Sequence, residues 1–154
     1  MKIALSQINY HIGNFENNIR KIKDAIRKAK KEKAKLIVFA ELAISGYPPR
    51  DFLEFNDFID KCYSALESIA KECTGIAAII GSTTKNPNKN GKRLFNSAVF
   101  IEDGKIKSIH NKTLLPNYDI FDEYRYFEPN DTFNIVQFAE HKLAITICED
   151  LWLT

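Results

Sequence analysis

Short apolar segments that alternate with amphipathic stripes constrain the fold of this chain more than any other feature. Residues 3–8, 36–40 and 76–80 have the apolar character of short strands. Asn14 is a typical helix N-cap, and it precedes a stripe with helical period: Phe15, Ile19, Ile22, Ile26 and Ala29. A second helical stripe stops near Gly75 and comprises Phe55, Ile59, Cys62, Leu66, Ile69 and Cys73. The pattern predicts strand–helix–strand–helix–strand.

The pattern changes after residue 80. Residues 97–101 and 105–109 flank Asp103-Gly104, a pair that favours a tight hairpin turn. Residues 111–131 are rich in aromatic residues and turn formers, which predicts a long ordered loop, and such loops are often functional. Two more strands are predicted at 133–138 and 142–147. An α/β fold with helices packed on a mixed sheet fits this order.

Composition argues against several classes of function. The chain has 154 residues, the size of one domain, with 45% hydrophobic and 27% charged residues. Its net charge of +2 gives no reason to expect nucleic acid or a membrane surface as a partner. It contains no apolar stretch near the roughly 18 residues of a membrane span, and its first residues lack the apolar region of a signal peptide.

The spacing of the cysteines and histidines indicates neither a disulfide framework nor a metal site. Cys62 and Cys73 are expected on one helix about 16 Å apart, too far to form a disulfide. Three cysteines without framework spacing indicate reduced thiols and a cytoplasmic protein. The three histidines (His11, His110 and His141) have no ligand spacing, so we expect no metal site.

Three polar residues follow predicted strands. Cys148 ends the apolar run 143–147, which reads as a fully buried strand; Glu41 follows 36–40 and Lys112 follows 106–110. In open α/β sheets, chemistry is placed just past the carboxyl ends of strands. A thiol followed by backbone N–H groups in a sharp turn resembles a nucleophile beside half an oxyanion hole. Simpler explanations exist: a buried apolar thiol, a helix-capping or solvated acid, and a surface lysine.

The segments around these residues resemble the nitrilase (carbon–nitrogen hydrolase) superfamily. Residues 39–49 resemble its glutamate motif, and 147–152 resemble its cysteine motif. Lys112, with the segments 115–118, 121–123 and 125–127, resembles its lysine motif. Gly-Tyr-Pro-Pro, Leu-Pro-Asn-Tyr…Phe-Asp-Glu and Cys-Glu-Asp-Leu-Trp are similar to the corresponding segments of glutamine-dependent NAD synthetases.

The resemblance implies a nitrilase-like α-β-β-α sandwich. Complete domains of this superfamily are considerably longer than 154 residues. We therefore expect an incomplete fold, in which residues 1–154 form the N-terminal part of a glutaminase domain. By the same resemblance, we expect the rest of that domain and a downstream ATP-dependent synthetase domain to lie outside this chain. The resemblance implies no cofactor here, ATP and Mg²⁺ in the synthetase domain, and a homo-oligomeric enzyme.

The resemblance also assigns roles to residues. Cys148 would be the nucleophile, Glu41 the general base, and Lys112 the positive charge opposite the oxyanion, beside the backbone N–H of Glu149. Glutamine would be bound by residues at three further family positions: Tyr47, Tyr118 and Glu149. The tyrosines have loop packing as an alternative role.

A second glutamate of the family holds the lysine by an ion pair. Glu123 is the expected counterpart, although Asp122 and Glu128 are equally available in the sequence.

Three functions are consistent with these residues. The first is the glutaminase part of a glutamine-dependent NAD synthetase, which releases ammonia from glutamine for the synthetase domain. The second is a stand-alone amidase or nitrilase with the same Glu-Lys-Cys triad. The third is an inert piece that acts only as an assembly module, because a partial domain can leave a triad without supporting contacts.

Overall fold

The computed structural model describes residues 1–88 and 90–152. Within these ranges lie seven strands, three α-helices and two 3₁₀ helices, at Arg50–Glu54 and Cys148–Leu151. The helices are α1 (Phe15–Lys31), α2 (Asn56–Ala70) and α3 (Glu123–Tyr126). The strands are β1 (Ile3–Leu5), β2 (Leu36–Val38), β3 (Ala77–Lys85), β4 (Leu94–Glu102), β5 (Lys105–Asn111), β6 (Ile135–Phe138) and β7 (His141–Ala144).

Five strands form a mixed sheet in the order β1-β2-β3-β4-β5. The first three are parallel, and the pairs β3–β4 and β4–β5 are antiparallel. The predicted hairpin turn joins β4 to β5, with positive φ at Asp103 and Gly104, as its tight geometry requires. Strands β6 and β7 form a separate antiparallel pair.

The alternation of side chains along the strands divides the core into two layers. Ile37, Ala78 and Val99 face the main cluster, which contains the buried faces of α1 and α2. Their strand neighbours face the opposite side, where Phe100 contacts Phe138 of β6 with ring centroids 5.7 Å apart. The protein therefore has a helix layer, a mixed sheet and a second small sheet.

Helix α1 begins where the sequence predicts. The Asn14 side chain accepts a hydrogen bond from the backbone N–H of Asn17 at 3.2 Å, which satisfies one of the free N–H groups of the first turn. Ile22 and Ile26 are fully buried, and each such side chain contributes about 1.5–3 kcal/mol of hydrophobic stabilisation. Lysines in the last turn complement the helix dipole.

Strand lengths differ from the prediction because strand pairing sets them. The first strand ends at Leu5 instead of residue 8, since its partner β2 ends at Val38 and the chain then turns away. The third strand continues to Lys85 instead of residue 80, since β4 pairs with it as far as Leu94.

Two further expectations are wrong. Cys73 does not lie on α2, which ends at Ala70; it lies in the turn that follows and is buried there. The run 143–147 is not a fully buried strand: β7 ends at Ala144, and of these five residues Ile147 alone is buried. The reason is that the β6–β7 pair contacts the main sheet with one face only.

Candidate active site

The structure brings the three motifs together at one edge of the mixed sheet. Glu41 lies in the loop after β2, Lys112 directly follows β5, and Cys148 begins the second 3₁₀ helix. The Lys112 backbone N–H donates to the Asn96 carbonyl at 2.8 Å, so the pairing of β5 with β4 continues through the lysine. Glu41 and Lys112 reach one place because β2 and β5 run in the same direction, so that their carboxyl ends lie at the same end of the sheet.

Lys112 is a fully buried cation held by two carboxylates. Its side chain is 0% exposed, and its Nζ donates to Glu41 Oε1 at 2.6 Å. The same Nζ donates to Glu123 Oε1 at 3.0 Å and Oε2 at 2.8 Å. A buried ammonium group is tolerated only when paired and hydrogen-bonded in this way.

The acid in contact with Lys112 besides Glu41 is Glu123. The two alternative acids lie elsewhere: Asp122 pairs with Arg125 at 3.0 Å, and Glu128 accepts from the Lys92 N–H at 2.7 Å. Glu123 is buried at the start of the short helix α3.

Tyr47 supports this cluster directly. Its hydroxyl donates to Glu123 Oε1 at 2.8 Å. The pKa of Tyr47 is raised, first by burial and then by this hydrogen bond, so the phenol stays protonated and remains a donor.

Cys148 and Glu41 line one cavity of about 320 Å³, together with Gly81, Ser97 and Thr146. Cys148 has a φ of 48° and opens a tight 3₁₀ turn, as the sequence predicts. Left-handed backbone at a non-glycine residue is uncommon and often occurs at functional positions. Cys148 and Glu41 therefore border the same space.

Burial and charge adjust the protonation of both groups. The pKa of Glu41 is raised by burial first and by repulsion from Glu123 second, whereas Lys112 lowers it. The pKa of the Cys148 thiol is raised by partial burial and by the charge of Glu41. For Lys112, burial acts to lower the pKa, but the two carboxylates outweigh it, so the ammonium remains charged. A protonated thiol beside a carboxylate of increased basicity suits proton transfer between them.

Asp150 links the cysteine and lysine motifs. Its Oδ1 accepts from the backbone N–H groups of Thr113 and Leu114, both at 2.9 Å, and its Oδ2 accepts from the Ile147 N–H at 3.0 Å. The residues before Cys148 and after Lys112 are therefore joined through one side chain. Sequence reasoning gave Asp150 no role beyond membership of its motif.

Tyr118 and Glu149 lie beside a second cavity of about 320 Å³. The Tyr118 hydroxyl donates to Glu149 Oε1 at 3.3 Å. The other oxygen, Oε2, is buried and has no hydrogen-bond partner among the described residues. A buried carboxylate oxygen without a donor can accept a hydrogen bond from a bound molecule.

Residues 2–154 match the carbon-nitrogen hydrolase family, and the chain belongs to that family. The predicted family and α/β fold are thereby confirmed. The relatives include glutamine-dependent NAD(+) synthetases from Synechocystis sp. (40% identity, 97% of this chain and 28% of the relative) and Acinetobacter baylyi (37%, 98% and 27%).

Solved structures of other proteins share the fold of this chain. The glutamine-dependent NAD⁺ synthetase of Acinetobacter baumannii, in complex with ADP, is 35% identical with a TM-score of 0.89, over 97% of this chain and 28% of its own. An amidase from Nesterenkonia sp. has the same fold, with 23% identity and a TM-score of 0.82 over 98% and 58% of the two chains. Our chain thus spans about a quarter of the length of its synthetase relatives.

Membrane-spanning helices and metal-binding clusters are both absent from the described residues. In the ranges 1–88 and 90–152, no helix has the length and apolarity needed to cross a membrane. In the same ranges, no group of three or more His, Cys, Asp or Glu side chains is arranged to hold a metal ion.

Proposed function

We propose that this chain is the N-terminal part of a glutaminase domain, which hydrolyses glutamine to glutamate and ammonia within a glutamine-dependent NAD synthetase. The observation that carries the proposal is the contact of buried Lys112 with Glu41, at the cavity that Glu41 shares with Cys148. Relatives of this name match the chain over almost all of its length.

The first half of the reaction forms a thioester. Glu41 takes the thiol proton of Cys148 as sulfur attacks the carboxamide carbon of glutamine. The oxyanion that forms faces the charge of Lys112 and the backbone N–H of Glu149. Removing one donor of this kind typically costs on the order of 10²-fold in turnover. The C–N bond then breaks as Glu41 returns the proton to the leaving nitrogen, and ammonia departs.

The second half hydrolyses the thioester. Glu41 takes a proton from water as the water oxygen attacks the thioester carbon. The C–S bond breaks, glutamate leaves, and the proton returns to the sulfur of Cys148. The raised pKa of Glu41 suits both halves, because the carboxylate must accept and release a proton near neutral pH.

Glutamine would be held by its polar groups. The free Oε2 of Glu149 suits the α-ammonium group, and the Tyr118 hydroxyl beside it orients that carboxylate. The hydroxyl of Tyr47 is engaged by Glu123, so its ring is the part that glutamine would contact.

In the complete enzyme, the ammonia would pass to a synthetase domain outside this chain, where ATP and Mg²⁺ would bind and deamido-NAD would be amidated. We propose a cytoplasmic homo-oligomer, with glutamine and the enzyme's own synthetase domain as the partners of this domain.

The test is labelling by the diazoketone analogue of glutamine, with the adduct located by peptide mass spectrometry. It is applied to the protein encoded by the complete gene and to residues 1–154. We expect an adduct on Cys148 of the complete protein, lost in Glu41→Gln and retained in Glu54→Gln, a substitution of an exposed acid. Labelling of residues 1–154 as well would contradict the inert-piece alternative.

The other thiols serve as internal controls. Burial raises the pKa of Cys62 to about 12 and that of Cys73 to about 11, so both stay protonated and unreactive at neutral pH. An adduct on either of them, or none on Cys148, would contradict the proposal. Faster turnover of a simple aliphatic amide than of glutamine would favour a stand-alone amidase instead.

A further inference from the structure

Asn96 contacts all three charged members of the buried cluster. It lies on β4 and is 1% exposed. Its Nδ2 donates to Glu41 Oε1 at 2.6 Å and to Glu123 Oε2 at 3.3 Å. Its backbone carbonyl accepts from the Lys112 N–H at 2.8 Å. A neutral amide thus bridges two carboxylates that would otherwise be joined through Lys112 alone.

The hydrogen bonds to Glu41 are unequally distributed between its two oxygens. Lys112 and Asn96 both donate to Oε1, each at 2.6 Å. Among the described residues, no donor forms a hydrogen bond with Oε2. An oxygen with two strong donors is a weak proton acceptor, so the basic oxygen of this carboxylate is Oε2.

The other end of the Asn96 amide argues against a purely structural role. Its Oδ1 is buried and has no hydrogen-bond partner in the described part of the chain. An unpaired buried acceptor is unfavourable for stability, and an apolar residue of similar shape would avoid it. In the opposite amide orientation, Oδ1 would face two carboxylates and be repelled by them. The two hydrogen bonds donated by Nδ2 therefore explain why an asparagine lies here.

We propose that Asn96 is a positioning residue that fixes the Glu41 carboxylate with Oε2 free to act as the base. The amide also stabilises the ionised form of Glu41 beside Glu123. The titratable groups around Glu41 come from every element at the site: Tyr47 in its own loop, Lys112 after β5, Glu123 on α3 and Cys148 after β7. This inference rests on the proposed function, since it assigns a support for the proposed base.

The experiment is a pH titration of Glu41 in the complete protein by ¹³C NMR of labelled glutamate carboxyl groups, with the signal assigned by its loss in Glu41→Gln. In Asn96→Leu, which keeps the shape and removes the donor, we expect the titration midpoint of Glu41 to rise. The control is Thr83→Val, because Thr83 lies opposite Asn96 in the sheet and its hydroxyl has no partner among the described residues. The control is expected to leave the midpoint unchanged.

Kinetics provide the second readout. For Asn96→Leu, we expect kcat/KM for glutamine to fall on the order of 10²-fold, because the catalytic carboxylate would be misplaced. The acid limb of the pH profile of kcat/KM should move to higher pH. Asn96→Ser, too short to reach Glu41, is expected to give the same result and replaces the leucine variant if that one does not fold. An unchanged Glu41 midpoint in these variants would overturn the inference. If the Glu41 midpoint rises in these variants but the wild-type protein does not consume glutamine, the result would refute the proposed function alone.

Discussion

Gly81 of β3 lies so close to Leu42 that a β-carbon on Gly81 would be 2.3 Å from the Leu42 backbone nitrogen. The same carbon would be 2.4 Å from the Ala40 carbonyl oxygen. The Gly81 carbonyl also accepts from the Ile44 N–H at 3.3 Å. The loop that carries Glu41 therefore lies directly against the backbone of β3, and the lack of a side chain at residue 81 permits this.

Gly81→Ala is expected to displace the Glu41 loop. Because the clash is with backbone atoms, which cannot rotate away, we expect about 1–3 kcal/mol of destabilisation and loss of Cys148 labelling by the glutamine analogue. Urea unfolding and mass spectrometry measure the two effects. Ser82→Ala, a change at the next residue that only removes an atom, is the control. Full labelling in Gly81→Ala would show that the loop has another support.

Lys112→Met would leave two buried carboxylates without a counter-charge. Removing one partner of a buried ion pair typically costs about 3–5 kcal/mol, and we expect a loss of that order in the free energy of unfolding at pH 7. The pKa of Glu41, already raised, would rise further, so the folded state would bind protons more tightly than the unfolded state. Stability of the variant should therefore fall as pH rises from 5 to 7.

Urea unfolding at several pH values tests this expectation. The double variant Lys112→Met/Glu123→Gln is the matched control, since it removes one of the two carboxylates. It should lose less stability than the single variant at pH 7. Equal losses in the two variants would mean that charge repulsion is not the cause.

Asp150→Asn should loosen the link between the cysteine and lysine motifs. An amide nitrogen cannot accept the hydrogen bond that one carboxylate oxygen accepts now, so at least one backbone N–H loses its partner. We expect about 1–3 kcal/mol of destabilisation and slower alkylation of Cys148. Asp122→Asn, at an exposed acid, should change stability by less than about 0.5 kcal/mol. Equal effects of the two substitutions would contradict the role given to Asp150.

His110 should make stability depend on pH. Burial lowers the pKa of its imidazole, which contacts the Ser108 hydroxyl at 2.8 Å. Below the ordinary histidine pKa of about 6.5, the unfolded chain binds this proton more readily than the folded chain. The contribution of His110 is therefore complete above that pH and is lost as pH falls toward the folded-state value. His110→Gln should reduce the loss of stability between pH 7.5 and 5 in urea unfolding; an equal loss would exclude His110 as its source.

The order of elements in the first 85 residues could be predicted because each strand and helix carries its own local pattern. Strand ends could not, since pairing sets them: β3 extends to Lys85 only because β4 runs beside it. The same limit applies to the run before Cys148, where an apolar sequence does not show that only one face is covered.

The residues of the candidate site also divide into those that the sequence predicts and those that it does not. Glu41, Lys112 and Cys148 stand in recognisable segments, so their proximity could be expected. Asn96 stands in none, and the predicted strand begins at residue 97 and so leaves it out, whereas β4 begins at Leu94. Its hydrogen bond to Glu41 spans 55 positions of sequence, and no local pattern predicts such a contact.

The sequence distances within the charged cluster have a consequence for how the protein folds. The bond between Lys112 and Glu41 spans 71 residues, and the bond between Tyr47 and Glu123 spans 76. Contacts of such long range form slowly, because a large loop must close before any of them is made. The helices and the β4–β5 hairpin rest on much shorter-range contacts. We therefore expect the helices and the β4–β5 hairpin to form first during refolding, and the reactive centre to become functional only in the last kinetic phase.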